Sequence, residues 1–182
     1  MKILLVGATG QVGYALAHAL TAAGHETTVL VRDASRRRRF PESLRVVAES
    51  NFTEALFARL LPQMDCAIYD VGLPEQFTFD ASIFERVNLQ LLRTFLTAME
   101  KSTLRRLVYI STYEVFSAQG GLIRESHPAS SPEGLTPYFA AMTRAYNEAA
   151  FVCRAHRHGT HHHPPCGTLW WPQHRRRFYQ CD

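Results

Sequence analysis

The sequence predicts an α/β fold, a doubly wound parallel sheet with helices on both of its faces. Short apolar runs suited to buried parallel strands alternate with longer stretches whose apolar residues recur at helical spacing. The first run, residues 3–6, leads into a helical stretch over residues 11–23, which Gly24 ends. Because this alternation of strand and helix builds βαβ units, whose strands are parallel, it favours a single doubly wound sheet.

The same alternation continues along the chain to about residue 156. Further strands are predicted at residues 26–32, 44–48, 66–70 and 107–110, and further helices at residues 53–61, 82–101 and 137–156. The helix at 82–101 has the broadest apolar face, made of Phe84, Val87, Leu91, Leu92, Phe95, Leu96 and Met99. We therefore expect about five strands and a sheet that is incomplete on its C-terminal side.

Composition excludes several classes of protein. The hydrophobic fraction of 46% supports one real core, and no apolar run has the roughly 18–20 residues of a membrane span. No signal peptide is expected at the start, and the four cysteines form no metal-type pair, so we expect a reduced, cytoplasmic protein without a metal site or membrane partner. Residues 156–182 hold four arginines and one aspartate and so carry +3 of the net +4. The body is near neutral, which argues against a nucleic-acid partner.

A glycine turn follows the first strand. Gly7, Gly10 and Gly13 are spaced as G-x-x-G-x-x-G between a predicted strand and a predicted helix. Missing Cβ atoms allow a tight turn and close approach of a pyrophosphate, and the helix N-terminus presents free N–H groups to it. This context predicts a dinucleotide site formed by Gly7, Thr9, Gly10, Gln11, Val12 and Gly13.

The end of the second strand bears on the choice of dinucleotide. An acidic residue at that point binds the ribose hydroxyls of NAD, whereas an arginine accommodates the 2′-phosphate of NADP. The strand ends in Arg32 and Asp33, and the run at residues 36–39 adds four arginines, unless that run is only a solvated loop. We favour NADP and leave NAD open. Gly72, after the fourth strand, is expected to line the same crevice.

Four stretches together resemble the extended short-chain dehydrogenase/reductase superfamily, in its NAD(P)-dependent epimerase/dehydratase branch. They are the turn at residues 7–13, Val87-Asn88 with the leucines after it, the strand end at residues 109–116, and Pro137-Tyr138 opening a helix. The resemblance covers residues 1–155 and implies an NAD(P)-binding Rossmann domain. It further implies a small-molecule substrate, such as a nucleotide-sugar, that reacts at a hydroxyl or carbonyl group. Members often form homodimers through the helices that correspond to residues 82–101 and 137–156.

The resemblance also implies roles for individual residues. Tyr138 takes the place of the general acid/base, Thr112 that of the hydroxyl that holds the substrate oxygen, and both Asn88 and Tyr138 join the cofactor-binding set. The family's lysine, four residues after the tyrosine, is replaced by Met142, and Arg144 points to another face of the helix. A methionine cannot stabilise a tyrosinate, so we expect impaired catalysis, or a non-catalytic dinucleotide-binding protein or inactive remnant.

Residues 156–182 differ from the family pattern and show no helical or strand period. A metal site at His161–His163 with Cys166, a nucleic-acid contact at Arg175–Arg177 and a disordered terminus are alternatives. We favour a displaced reading frame. Shifted by one nucleotide, the codons of Trp170-Trp171 must read Gly-Gly, and the surrounding codons can read Thr-Ile-Leu-Arg and Gly-Pro-Asn-Thr. This resembles the family's sixth strand and next loop, so we expect an irregular tail on a truncated chain.

Overall fold

A computed structural model describes residues 1–74, 80–104, 106–116, 127–158 and 167–170. Within these ranges, six parallel strands form one sheet in the order β3-β2-β1-β4-β5-β6. The strands are β1 (Lys2–Val6), β2 (Glu26–Val31), β3 (Arg45–Ala48), β4 (Cys66–Tyr69), β5 (Leu107–Ser111) and β6 (Gly167–Trp170).

The helices cover both faces of this sheet. They are α1 (Gln11–Ala22), α2 (Glu54–Leu60), α3 (Ala81–Phe84), which runs through a π-helical segment (Glu85–Gln90) into α4 (Leu91–Glu100), and α5 (Pro137–His158). Their starts follow from local chemistry. Thr53 Oγ1 accepts from the Leu56 N–H at 3.2 Å and caps α2, while Pro137 opens α5, where its missing N–H has no helical partner in any case.

Both faces of the central strands are buried, as a doubly wound sheet requires. In β1, Leu4 and Val6 belong to the core under α2, α4 and α5, whereas Ile3 and Leu5 belong to the core under α1. The strand order reverses between β1 and β4, so a crevice opens beyond their carboxyl ends. The α/β fold and its first five strands are confirmed, with boundaries within two residues of those predicted.

The sixth strand corrects one expectation. No strand was expected in residues 156–182, yet the backbone of β6 pairs in parallel with β5, from Val108 opposite Gly167 to Ser111 opposite Trp170. Four residues are too few for a periodicity to be read, and the pairing uses backbone groups that β5 would otherwise leave open at an edge. The proposed metal ligands at 161–163 and 166, and the arginines at 175–177, lie outside the described residues.

A π-helical turn changes the predicted face of the helix over residues 82–101. The extra residue in a π turn rotates the residues after it by about 100° relative to an α-helix. As a result Leu89 is fully buried in the core, while Val87 and Leu91 are only partly buried. The other five predicted core residues are buried as expected, namely Phe84, Leu92, Phe95, Leu96 and Met99.

Candidate functional site

A cavity of about 680 Å³, called here the strand-end cavity, opens beyond the carboxyl ends of β1, β2 and β4. It lies where the strand order reverses, and Gly7, Thr9 and Gly10 of the glycine turn line it. The residues that line it are Gly7, Thr9, Gly10, Leu30, Val31, Arg32, Ser50, Asn51, Phe52, Asp70, Val71, Gly72, Leu73, Ile83, Arg86, Val87 and Leu91. The sequence therefore brings Gly7, Thr9, Gly10, Arg32 and Gly72 to one site.

The glycine turn packs too closely for side chains at two of its positions. Gly7 has a φ of 102°, and a Cβ there would lie 2.1 Å from the backbone oxygen of Asp70. A Cβ on Gly13 would lie 2.3 Å from the Gly7 oxygen. At Gly10, which lines the cavity, the nearest such contact is 3.4 Å. Gly7 and Gly13 thus allow the turn, β4 and α1 to meet, and Gly10 keeps the approach from the cavity open.

The N-terminus of α1 presents backbone donors toward this turn. Its first helical hydrogen bond runs from the Tyr14 N–H to the Gly10 oxygen at 2.9 Å, so the N–H groups of Gln11, Val12 and Gly13 have no partner within the helix. Gly10 supplies no side-chain cap, and the first turn of α1 has no acidic residue. This end of α1 therefore has the character of an anion-binding site.

Arg32 and Asp33, at the end of β2, have different surroundings. Arg32 is exposed and lines the strand-end cavity. The carboxylate of Asp33 instead accepts hydrogen bonds from the N–H of Ser35 at 2.8 Å and its hydroxyl at 2.7 Å, and these bonds lower the pKa of Asp33. Asp33 thereby caps the 3-10 helix Ala34–Arg39. Of the following arginines, Arg37 donates to two backbone carbonyls and so has a structural role.

Asn88 is 1% exposed and supports the cavity wall from behind. Its Oδ1 accepts from the Leu73 N–H at 2.6 Å, and its Nδ2 donates to the Leu73 oxygen at 3.1 Å. Leu73 lines the cavity next to Gly72, whereas Asn88 does not line it. The structure thus gives Asn88 a positioning role behind the cavity wall, whereas the resemblance placed it in the cofactor-binding set.

We expect Asn88→Ala to lower the free energy of unfolding by about 1–3 kcal/mol, because the partly buried N–H and C=O of Leu73 lose their partners. Chemical denaturation would measure this change. Asn147→Ala, at an exposed position of α5, is the matched control and should not lower stability, because alanine is the better helix former. Equal stability of the two variants would contradict the supporting role of Asn88.

Asp70, directly after β4, lines the cavity and was not among the predicted site residues. Burial raises the pKa of its carboxyl group to about 7, and the backbone N–H of Gly13 opposes part of that rise. One signal in the sequence could have identified it, since an acidic residue that follows an apolar strand lies at the ligand-binding edge of a parallel sheet.

Thr112 and Tyr138 are placed away from the lining of the strand-end cavity. Thr112 is buried after β5, where its hydroxyl donates to Glu114 Oε2 at 3.0 Å and caps the 3-10 helix Tyr113–Val115. The ring of Tyr138 is half-buried and meets Phe84 edge to face, with centroids 5.5 Å apart. The roles of Thr112 and Tyr138 at the reacting end of a ligand therefore stay predictions.

Met142, in the place of the family's lysine, is 6% exposed. It forms a small apolar cluster with Val115 and Phe116, and the rings of Tyr138 and Tyr146 pack against this cluster. Arg144 is exposed and lies 3.5 Å from Glu85, which agrees with its predicted placement on another face of α5. The surroundings of Met142 are therefore apolar.

The sequence predicts neither a metal site nor a membrane partner. Among the described residues, no group of three or more His, Cys, Asp or Glu side chains is arranged to hold a metal ion. Within the same ranges, no helix combines the length and apolar character needed to cross a membrane.

Comparisons with known proteins give one family match over most of the chain and one short match to a curated protein. A family model described as NAD(P)H-binding matches residues 7–151. A curated 3-diazoavenalumate denitrifying reductase from a Streptomyces species is 53% identical over 47 residues, which are 26% of this chain and 14% of the reductase.

Solved structures share the fold at low sequence identity. UDP-glucuronic acid 4-epimerase from Bacillus cereus in complex with NAD has a TM-score of 0.69 and 18% identity over 86% of this chain and 53% of that chain. A UDP-galactose 4-epimerase has a TM-score of 0.70 and 21% identity over 85% of this chain and 52% of that chain. A short-chain dehydrogenase/reductase superfamily protein from Agrobacterium tumefaciens with bound NAD has a TM-score of 0.68 and 18% identity over 93% of this chain and 48% of that chain. The chain spans about half the length of these neighbours, and the predicted resemblance is confirmed as a likeness of fold.

Proposed function

The chain belongs to the NAD(P)H-binding family, and we propose that it binds NADP(H) in the strand-end cavity and acts as a reductase or epimerase on a hydroxyl or carbonyl carbon. The observation that carries the proposal is that the glycine turn, whose Gly10 is the N-cap of α1, and the end of β2 line one cavity of about 680 Å³. A cavity of this size suits a ligand of several rings.

The residues around the cavity suggest how the ligand would be held. The N–H groups of Gln11 and Val12, with the open backbone at Gly10, would bind the pyrophosphate. The end of β2, with Arg32, would face the adenosine ribose, and Gly72 would let the ligand pass close to the backbone after β4.

Arg32 and Asp33 support NADP over NAD. The Asp33 carboxylate already accepts two hydrogen bonds from Ser35, which hold it as the cap of the 3-10 helix and leave it fewer acceptor sites for ribose hydroxyls. The Arg32 side chain is exposed at the cavity, where a guanidinium can bind a phosphate through two parallel hydrogen bonds.

We expect Arg32→Ala to weaken NADPH binding about tenfold or more and to change NADH binding less than threefold, because only NADPH carries the 2′-phosphate. Each tenfold change corresponds to about 1.4 kcal/mol, within the range of a hydrogen bond to a charged group. Titration of both nucleotides by nicotinamide fluorescence would measure this. Arg154→Ala, an exposed arginine on α5, is the control and should leave both affinities unchanged. Equal losses for NADPH and NADH would contradict the specificity role of Arg32.

For the reaction, we propose that Tyr138 exchanges a proton with the substrate oxygen and that Thr112 binds the same oxygen. A bound nicotinamide would supply or accept the hydride. Thr112 would have to share the proton it now donates to Glu114. Nucleotide-sugars are the substrate class we favour, since neighbours of the same fold are named as UDP-sugar epimerases.

A second candidate, a non-catalytic dinucleotide-binding protein, is favoured by the apolar surroundings of Met142 beside Tyr138. Incubation with UDP-glucose or UDP-glucuronic acid and each nucleotide, followed by chromatography of the sugars, separates the two candidates. Conversion supports the enzyme, whereas tight nucleotide binding without conversion of any sugar supports the binding protein.

A further inference from the structure

Asp70 places a carboxyl group where the proposed ligand carries its negative charge. The residue follows β4 and lines the strand-end cavity, and its backbone oxygen contacts the glycine turn where a Cβ on Gly7 would lie. Its carboxyl group faces the N–H of Gly13 in the first turn of α1. The N-terminus of α1 has no acidic residue in its first turn and no side-chain cap. The acidic group beside it is that of Asp70, which follows β4 and lies 57 positions after Gly13 in the chain.

The charges around Asp70 do not hold it in the ionised form. Two charged side chains of the described residues line the same cavity, Arg32 at the end of β2 and Arg86 on the π-helical segment. The causes that act on the pKa of Asp70 are burial, which raises it to about 7, and the Gly13 N–H, which lowers it, so neither guanidinium compensates for burial. The glycine turn and residues 50–52 contribute no titratable side chain to the lining.

A second anion bound at the N-terminus of α1 would lie close to the Asp70 carboxylate. A dinucleotide pyrophosphate bound to the N–H groups of Gln11 and Val12 would lie beside the Asp70 carboxylate, and like charges at one site disfavour each other's ionised form. The carboxyl group, unlike the pyrophosphate, can become neutral by taking up a proton near neutral pH. A neutral carboxyl group can then donate a hydrogen bond to a phosphate oxygen.

We propose that Asp70 competes with the dinucleotide pyrophosphate for the N-terminus of α1 and takes up one proton when the dinucleotide binds. The proposal rests on the proposed function, because it assumes that the pyrophosphate lies at this end of α1. By linkage, affinity falls as pH rises, approaching a tenfold loss per pH unit where Asp70 is ionised in the free protein and protonated in the complex.

Calorimetric titration with ADP-ribose tests this directly. ADP-ribose carries the same adenosine and pyrophosphate, and none of its groups titrates between pH 6 and 8.5. Titration in two buffers of different ionisation enthalpy gives the number of protons taken up per ligand bound. We expect up to one proton near pH 7.5 for the unchanged protein, and none for Asp70→Asn, which should also bind more tightly at pH 8.5. Asp65→Asn, just before the opposite end of β4, is the matched control and should keep the proton uptake.

The outcomes separate this inference from the proposed function. Binding without proton uptake and with the same affinity at pH 6 and 8.5 would overturn the role of Asp70 and leave dinucleotide binding intact. Failure of the unchanged protein and of Asp70→Asn to bind ADP-ribose, NADH or NADPH at any pH would overturn both. The measurement on the unchanged protein needs no variant, so it decides the question even if Asp70→Asn folds poorly.

Discussion

Gly13→Ala is expected to lower the free energy of unfolding by about 3 kcal/mol or more. The new Cβ would lie 2.3 Å from the Gly7 oxygen, 2.8 Å from the Gly7 carbonyl carbon and 2.9 Å from the Ala8 Cα. All three are backbone atoms, which cannot rotate away as a side chain does. Overpacking against movable side chains already costs about 1–3 kcal/mol, and here α1 would have to separate from the turn.

Helix propensity acts in the opposite direction at this position. Gly13 lies inside α1, where alanine is favoured over glycine by about 1 kcal/mol. A contact of 2.3 Å outweighs that preference, because real Cβ atoms do not approach an oxygen so closely. Whether Gly13→Ala lowers or raises the free energy of unfolding therefore shows whether the steric contact or the helix propensity is the larger effect.

Urea denaturation followed by circular dichroism would measure the change. Gly72→Ala is the matched control, since a Cβ there meets nothing within 4 Å and its φ is not in the left-handed region. We expect the control to lie within about 1 kcal/mol of the unchanged protein, in either direction. A Gly13→Ala protein as stable as the control would show that the turn can open at little cost, and the close packing of α1 on the turn would then be wrong.

The fold could be predicted from sequence because each strand and helix carries a local signal. The run at residues 3–6 is apolar at every position, as burial on both faces of a parallel sheet demands, and Gly24 and Thr53 mark helix ends by their own chemistry. The cavity followed from the same reasoning, since the carboxyl ends of parallel strands lie at one edge. Arg32 and Gly72 were therefore expected at that edge from the sequence alone.

The features that sequence did not predict depend on contacts between distant segments. The partners of Asn88 are the backbone groups of Leu73, fifteen positions earlier, and the π turn around Asn88 leaves no readable pattern. The burial of Asp70 arises only when β4 meets the glycine turn. Likewise β6 is defined by pairing with β5, not by a period of its own.

Met142→Lys is expected to lower the free energy of unfolding and, at the same time, to favour the ionised form of Tyr138. Met142 is 6% exposed in an apolar cluster, and burial can lower the pKa of a lysine by up to about 3–5 units, each worth about 1.4 kcal/mol. The flexible lysine stem can carry the amine partly toward water, which reduces that penalty. We therefore expect a loss of about 3 kcal/mol in the free energy of unfolding. Met142→Leu, which keeps the volume and the apolar character, should lose less than about 1.5 kcal/mol.

The expected gain in catalysis arises at Tyr138, whose ring packs against the apolar cluster of Met142, Val115 and Phe116. An ammonium group at position 142 and the tyrosinate stabilise each other, so the pair can ionise together although burial alone would neutralise the lysine. The tyrosinate is the form a general base needs, and general-base catalysis contributes about 10²–10⁴ in rate. Ultraviolet titration of Met142→Lys, minus that of the same variant with Tyr138→Phe, isolates this tyrosine from the other six. We expect it to ionise at lower pH in Met142→Lys than in Met142→Leu. Ionisation at the same pH in both would mean that the amine does not reach the ring, and position 142 could then no longer explain impaired catalysis.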